Sequence, residues 1–260
     1  MQCKICNSTA ELKFKAVVLN KYTVGYFQCS NCGFLQTENP YWLEEAYLNP
    51  INTSDTGILD RNITLSKMLA VLIYFNFNKV AKFLDYAGGY GIFTRLMRDI
   101  GFNFYWHDPY TQNLLAKGFE ADIKSDYRYE LITAFEVFEH LTNPKIEMER
   151  ILKLSDSILF STELLPSEIP DPKNWWYYGF EHGQHISFYS EKTFRNLAAQ
   201  FKLNYYNLES FHIISQRKLN HLKILNMKKL RNLGLFHLVK KMMKSKTFLD
   251  SQMLKSTWTH

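Results

Sequence analysis

Every cysteine of this 260-residue chain falls within its first 32 positions: Cys3, Cys6, Cys29 and Cys32. They form two C-x2-C turns separated by 22 residues. Each turn brings two thiolates to one point, and four thiolates complete the tetrahedral shell that zinc prefers. Two disulfides are the rival arrangement, but they need an oxidising compartment. The opening residues, Met-Gln-Cys-Lys-Ile-Cys, lack the apolar stretch of a signal peptide. A redox C-x2-C would not need to be duplicated. Four protein ligands leave no open coordination position, so the expected role of the metal is structural.

Between the pairs, residues 12–28 are rich in Val, Tyr and Phe and read as a hairpin. The whole segment resembles a zinc ribbon, placed at residues 1–38. Residues 39–78 follow as a helical linker or lid. A short helical pattern at Pro40–Tyr47 is broken by Asn49-Pro50, Ser54–Gly57 reads as a loop or helix cap, and an amphipathic helix is expected over 60–75.

From residue 79 the pattern alternates between strand and helix. Strands are expected at 80–86, 102–106, 130–135 and 157–162, with helices at 92–100, 111–117 and 143–154. A helix at 191–200 then precedes two strands, 203–208 and 211–215. Such alternation predicts an α/β fold: a mostly parallel, Rossmann-like sheet with an antiparallel edge, plus the small N-terminal ribbon. The sheet domain is placed at 79–215 and a basic helical tail at 216–260.

Charge is concentrated in that tail. Residues 216–260 carry 11 Lys/Arg and one acid, Asp250, whereas residues 1–215 carry 20 basic and 24 acidic residues. The body is therefore net acidic, which argues against a nucleic-acid-binding module built on the ribbon. The tail alternates apolar and basic residues at helical spacing. It is read as a solvated helix, with contact to phosphates, a membrane surface or a second subunit as alternatives. No apolar run is long enough to span a membrane. A soluble cytoplasmic protein is the expectation, with its oligomeric state open.

The first strand of the sheet runs into Asp85-Tyr86-Ala87-Gly88-Gly89-Tyr90-Gly91 and then a helix. A glycine loop there lets backbone approach a ligand, and the helix N-terminus aims at the same crevice. Asp108 ends the second strand, 23 residues after Asp85. An acid at that place accepts hydrogen bonds from ribose hydroxyls. The third glycine of the dinucleotide fingerprint is replaced by Thr94.

An acid followed by a glycine cluster resembles the first motif of class I S-adenosylmethionine-dependent methyltransferases. Ala87 stands where the family's first glycine is usual, and alanine prefers negative φ. Residues 130–141, Glu-Leu-Ile-Thr-Ala-Phe-Glu-Val-Phe-Glu-His-Leu, resemble the family's strand-four motif. The resemblance covers about residues 80–215. It implies S-adenosylmethionine binding by Asp85, Ala87, Gly88, Gly89, Gly91, Asp108 and Pro109, with Glu120 and Ala121 near adenine. Phe135, Glu136, Glu139 and His140 are implied on the methionine side, with Tyr47 and Thr56 as lid contacts. With its ribbon, the chain is similar to bacterial sugar methyltransferases. This implies a sugar or nucleotide-sugar acceptor, or a surface-polysaccharide precursor, methylated on oxygen, or alternatively on carbon or nitrogen.

In-line methyl transfer to a hydroxyl requires a base. Residues 175–189, Trp-Trp-Tyr-Tyr-Gly-Phe-Glu-His-Gly-Gln-His-Ile-Ser-Phe-Tyr, combine aromatics, which stack on sugars, with histidines of near-neutral pKa. His182 or His185 is the expected base, or an ordinary structural residue. Glu181 and Glu163 are the further catalytic candidates.

Overall fold

The computed structural model describes residues 1–52, 55–209, 211–220, 224 and 234–257. Ser54 of the expected loop and most of 221–233 in the basic tail lie outside the described residues. The chain forms two compact units. One comprises Met1–Asn52, Ala134–Lys153 and Ser157–Arg217; the other Thr53–Thr133, Leu154–Asp156 and Lys218–His260. Both are discontinuous in sequence.

In the first unit, β1 (Ala10–Val18) and β2 (Tyr22–Cys29) form the expected antiparallel hairpin. Its tight turn places Leu19 and Asn20 at positive φ. β3 (Leu35–Thr37) pairs with β2, and β8 (Ser187–Phe188) pairs with β3. The ribbon is thus completed by a strand from 150 residues further along the chain. Its inner face packs Val24, Tyr26 and Leu35 against Trp42, Tyr177, Tyr178 and Phe188. The Tyr26 ring stacks on Phe14 at 4.6 Å, and Trp42 Nε1 donates to the Gly183 carbonyl. The short α1 (Leu43–Ala46) adds Ala46 to this core. β7 (Ser157–Ser161), α4 (Pro144–Leu154), α5 (Glu191–Gln200), β9 (Asn204–Asn207) and β10 (His212–Ser215) supply further elements.

α5 carries a reciprocal cap. The Ser190 side chain accepts from the Thr193 backbone N–H, and the Thr193 hydroxyl bonds back to Ser190. Such a cap satisfies orphan donors of the first turn. The Thr193 hydroxyl also donates to the Cys32 carbonyl at 2.9 Å, and Gln200 Nε2, at the other end of α5, donates to the Ile5 carbonyl at 2.9 Å. Both cysteine turns are therefore moored to one helix.

In the second unit, β4 (Lys82–Tyr86) lies parallel to β5 (Asn103–His107) and to the start of β6 (Ile132–Phe135). α2 (Ile58–Asn76) and α3 (Ile92–Ile100) pack together; Leu69 and Ile73 of the first and Phe93 and Met97 of the second are buried. α6 (Leu235–Met242) packs on α2, and α7 (Thr247–Thr257) ends the described chain.

The larger sheet has the order β5-β4-β6-β7-β10-β9, with β10 antiparallel to both β7 and β9. The sheet is the expected α/β arrangement with an antiparallel edge. Two sequence expectations differ. Residues 111–117 form bends and turns rather than a helix. The Asn113 side chain takes over as organiser there, accepting from the Ala116 N–H and donating to Glu120. The aromatics of 175–189 mostly enter the first unit's core: Tyr177 and Tyr178 are buried, whereas Trp176 is exposed.

Candidate functional site

The glycine loop leaves the carboxyl end of β4, the strand whose two neighbours lie on opposite sides of it in the order of connection. This reversal opens a crevice at the strand ends, the usual ligand position of such sheets. Asp85 is fully buried beneath the loop. Its carboxylate accepts from the Thr94 hydroxyl at 2.9 Å and from Thr133 at 3.1 Å, tying β4 to α3 and β6. Burial pushes its pKa up to about 7, against the pull of those two hydroxyls. Thr94, seen in sequence only as a missing glycine, is thus a partner of the motif's acid.

Ala87 has φ 55°, so the chain holds an alanine in the left-handed region where glycine was expected. The preference for negative φ is overridden at a cost of ~1–2 kcal/mol. Gly88 cannot be enlarged: a Cβ there would lie 2.7 Å from Asp85 Oδ2 and 2.8 Å from Trp106 Cδ1. Gly89 and Gly91 also have positive φ. The Gly89 carbonyl accepts from Trp106 Nε1 and from the Thr111 hydroxyl, each at 2.9 Å.

Asp108 is also engaged by backbone. Its carboxylate accepts from three backbone N–H groups: Gly89 at 2.9 Å, Tyr110 at 2.8 Å and Thr111 at 3.0 Å. A carboxylate offers about four lone-pair sites, so one is left for a ribose hydroxyl, not two. Asp108 holds the loop in shape. Pro109 beside it is exposed. Glu120 is bound to Asn113 and to the Gly118 N–H, and the Ala121 N–H donates to the Trp106 carbonyl. Thr56 lies exposed in the turn before α2. A pre-shaped glycine loop, a helix N-terminus and an acid with one free lone pair fit an adenosine-type cofactor by their chemistry.

In the first unit, the segment after β6 turns sharply, with Glu136 at φ 50°. The Glu136 N–H and carboxylate both bond Ser161. Phe135, just before it, is half-buried. Glu139 is fully buried. Its Oε1 accepts from the Tyr177 phenol at 2.7 Å, and Thr162 donates in turn to that phenol oxygen at 2.9 Å. Its Oε2 has no hydrogen-bond partner among the described residues. Burial, with Glu136 nearby, pushes Glu139 well above the usual carboxylate range.

Three histidines gather beside Glu139. The His140 and His185 rings are 5.0 Å apart, and those of His182 and His185 4.7 Å. His140 Nδ1 faces the Gln184 carbonyl at 3.2 Å, and His185 Nδ1 the Tyr177 carbonyl at 2.6 Å. Carbonyls only accept, so both Nδ1 atoms carry protons and both Nε2 atoms present lone pairs. His182 is the opposite tautomer: its Nδ1 accepts from the Gln184 N–H at 3.2 Å. Burial holds all three below the ordinary value, His140 at about 4. Tyr47 sets its ring against His140 at 6.3 Å. Gln184, which the sequence did not single out, fixes the strand lead-in by donating to the Ala46 and Asn49 carbonyls. Glu181 and Glu163, two of the catalytic candidates, are exposed.

The four cysteines of the ribbon converge. Cys3 and Cys32 sulfurs lie 3.5 Å apart, as do those of Cys6 and Cys29. All four are free thiols with ligand atoms within 4.8 Å of one another. Zinc–sulfur bonds of ~2.3 Å imply a tetrahedral edge of ~3.8 Å, whereas a disulfide needs ~2.05 Å. The Cys32 contact holds Cys3 down at about 5, and the same contact pushes Cys32 up. Four sulfurs converging at these distances fit a cation among them.

The model of a family described as a methyltransferase domain matches residues 61–208, more than half of the chain. The chain belongs to this methyltransferase family. No curated protein matches it. Solved structures with a similar fold include a family 2 O-methyltransferase from Planctomyces limnophilus in complex with apigenin. It is 15% identical, with a TM-score of 0.43 over 67% of this chain and 65% of that one. The mitomycin 7-O-methyltransferase MmcR is 14% identical, with a TM-score of 0.44 over 66% and 59%. Magnesium protoporphyrin IX methyltransferase from Synechocystis, with bound SAM, is 10% identical, with a TM-score of 0.38 over 67% and 90%. The methyltransferase thus spans less than two thirds of the length of the first two. Among the described residues, no helix is long and apolar enough to cross a membrane.

Proposed function

We propose that this protein transfers a methyl group from S-adenosylmethionine to a hydroxyl of a small, sugar-like acceptor, such as a nucleotide-linked sugar or a surface-polysaccharide precursor. The methyl donor rests on family membership and on the loop chemistry around Asp85, Ala87, Gly88, Gly89, Gly91 and Asp108. When bound, S-adenosylmethionine supplies a methyl already activated by a sulfonium. The remaining work falls to this chain's own residues: orienting the acceptor, excluding water and receiving a proton.

The observation that carries hydroxyl methylation is the pair of open Nε2 lone pairs on His140 and His185. Each ring is fixed by a carbonyl behind it, so each lone pair is aimed and ready to accept the hydroxyl's proton. Because the His182 Nδ1 lone pair is taken by the Gln184 N–H and its Nε2 carries the proton, His185 is the better base of the two read from the sequence. Support for a sugar acceptor comes from the resemblance and from Trp176, an exposed aromatic on the loop. The ribbon's cysteines hold a structural zinc in this reading.

Thermal-shift assays with S-adenosylmethionine and with NAD test the donor, and only the former should raise Tm. Transfer of labelled methyl to a panel of nucleotide-linked sugars and phenols tests the acceptor. Labelling of phenols alone would overturn the sugar assignment and leave methyl transfer standing.

A further inference from the structure

Glu139, His140 and His185 present one donor atom each within 4.8 Å of one another. Three independent features make this group more than a chance meeting of polar side chains. Among the described residues, Glu139 Oε2 is buried without a hydrogen-bond partner, a costly state for a carboxylate unless something occupies the space before it. Both histidines donate Nδ1–H to backbone carbonyls, from Gln184 and Tyr177. That is the outer support that fixes a metal-bound imidazole and turns its Nε2 toward the ion. The other oxygen of Glu139 is fixed in the same manner, by the Tyr177 phenol.

We propose that Glu139 Oε2, His140 Nε2 and His185 Nε2 form a second metal site, distinct from the four cysteines, for a first-row divalent cation such as Mn²⁺. Two imidazoles and a carboxylate suit such ions better than Mg²⁺ or Ca²⁺, which take oxygen donors. Bonds of ~2.0–2.2 Å place donors up to ~4.4 Å apart, in keeping with a group whose ligand atoms lie within 4.8 Å of one another. Glu136, which bears electrostatically on Glu139, adds negative charge beside the ion.

Three protein donors leave coordination positions open. Resting on the methyl-transfer reading above, those positions take the acceptor's hydroxyl oxygen. Coordination raises the acidity of the bound O–H: its proton passes to solvent water as the oxygen takes the methyl, and in the metal-loaded site His185 orients the ion rather than receiving that proton.

Manganese separates this site from the ribbon, since thiolates select softer ions. The full-length protein as purified is titrated with Mn²⁺, and the free-ion signal is followed by electron paramagnetic resonance. One Mn²⁺ should bind per chain, and pulsed spectra should show ¹⁴N coupling from imidazole. His140→Ala and His185→Ala, each verified as folded by circular dichroism, should weaken binding at least 10-fold. Binding without ¹⁴N coupling, no binding, or unchanged affinity in the folded variants would overturn the proposal. If neither variant folds, the wild-type nitrogen couplings decide. Failure of this site would leave the donor thermal shift and methyl transfer intact; failure of those would leave manganese binding intact.

Discussion

Arg98 of α3 grips Asp250 of α7 through two parallel hydrogen bonds, Nε to Oδ2 at 2.8 Å and Nη2 to Oδ1 at 2.7 Å. Both side chains are about 95% buried. Arg95 adds a second contact to the same carboxylate at 2.9 Å, and the Arg98 guanidinium lies 3.5 Å above the Phe119 ring. Asp250 is the single acid of the basic tail, and it is spent on pinning the tail rather than on balancing its charge. Removing one partner of a buried pair leaves the other charge uncompensated, at a cost of ~3–5 kcal/mol. Asp250→Asn is therefore expected to lower unfolding stability by about that amount in urea titration. It should also open α7 to limited proteolysis. A loss within ~0.5 kcal/mol would show that solvent reaches the pair.

The strained alanine of the glycine loop makes an opposite prediction. Ala87→Gly releases ~1–2 kcal/mol of left-handed strain and returns ~0.5–1 kcal/mol as extra unfolded-state freedom. The variant should be more stable by about 0.5–1 kcal/mol, with S-adenosylmethionine affinity retained. A destabilised variant would mean that the alanine methyl makes packing contacts worth more than the strain.

What was legible in the sequence follows the range of the forces involved. Local signals located α3 and α5 to the residue, because a glycine ends the preceding loop in one case and Ser190 caps the other. Cysteine spacing located the thiol cluster for the same reason. The helix expected at 111–117 failed because Asn113 offers its side chain to backbone groups, an alternative to helix that a weak pattern cannot resist. The partner of Asp250 was invisible, since 152 positions separate it from Arg98. Distance along the chain also hid β8, which completes the ribbon, and the burial of Tyr177 and Tyr178. His182 and His185 were read together as one loop and His140 beside Glu139, but the meeting of all three and their tautomers depend on carbonyls that only the fold brings near.

Asp85 gives stability a pH dependence whose sign can be fixed. Its folded pKa, about 7, is raised from the ordinary 3.8 by burial. Between those values the folded chain holds a proton that the unfolded chain has released. Its contribution is therefore fully present below about pH 4 and is lost as pH rises through 7. At ~1.4 kcal/mol per pKa unit, the effect is at most on the order of 4 kcal/mol. Asp85→Asn removes the titration while keeping its amide oxygen for the Thr94 hydroxyl; its amide N–H2 then donates to the Thr133 hydroxyl, which can still donate to the Leu84 carbonyl. The difference in unfolding free energy between wild type and variant should shift against the wild type from pH 4.5 to 7.5 and level off above. A difference independent of pH would mean that Asp85 is ionised throughout.

Zinc removal should be felt along α5, because that helix is moored to both cysteine turns through Thr193 and Gln200. A structural metal contributes folding energy directly. Without it, the Cys32 carbonyl no longer has a fixed position, and the cap of α5 loses its outer partner. Metal analysis of the purified protein should give one zinc held by Cys3, Cys6, Cys29 and Cys32. Cys29→Ser is expected to lower Tm by roughly 10 °C, as about 3–4 kcal/mol would in a chain of this size. Hydrogen exchange locates the loss: amides of α5 and of β2 should lose protection, while those of α3 keep theirs. Uniform loss over all three helices and strands would indicate global unfolding instead of a local mooring. Full protection of α5 in a zinc-free chain would show that the thiol cluster holds its shape unaided.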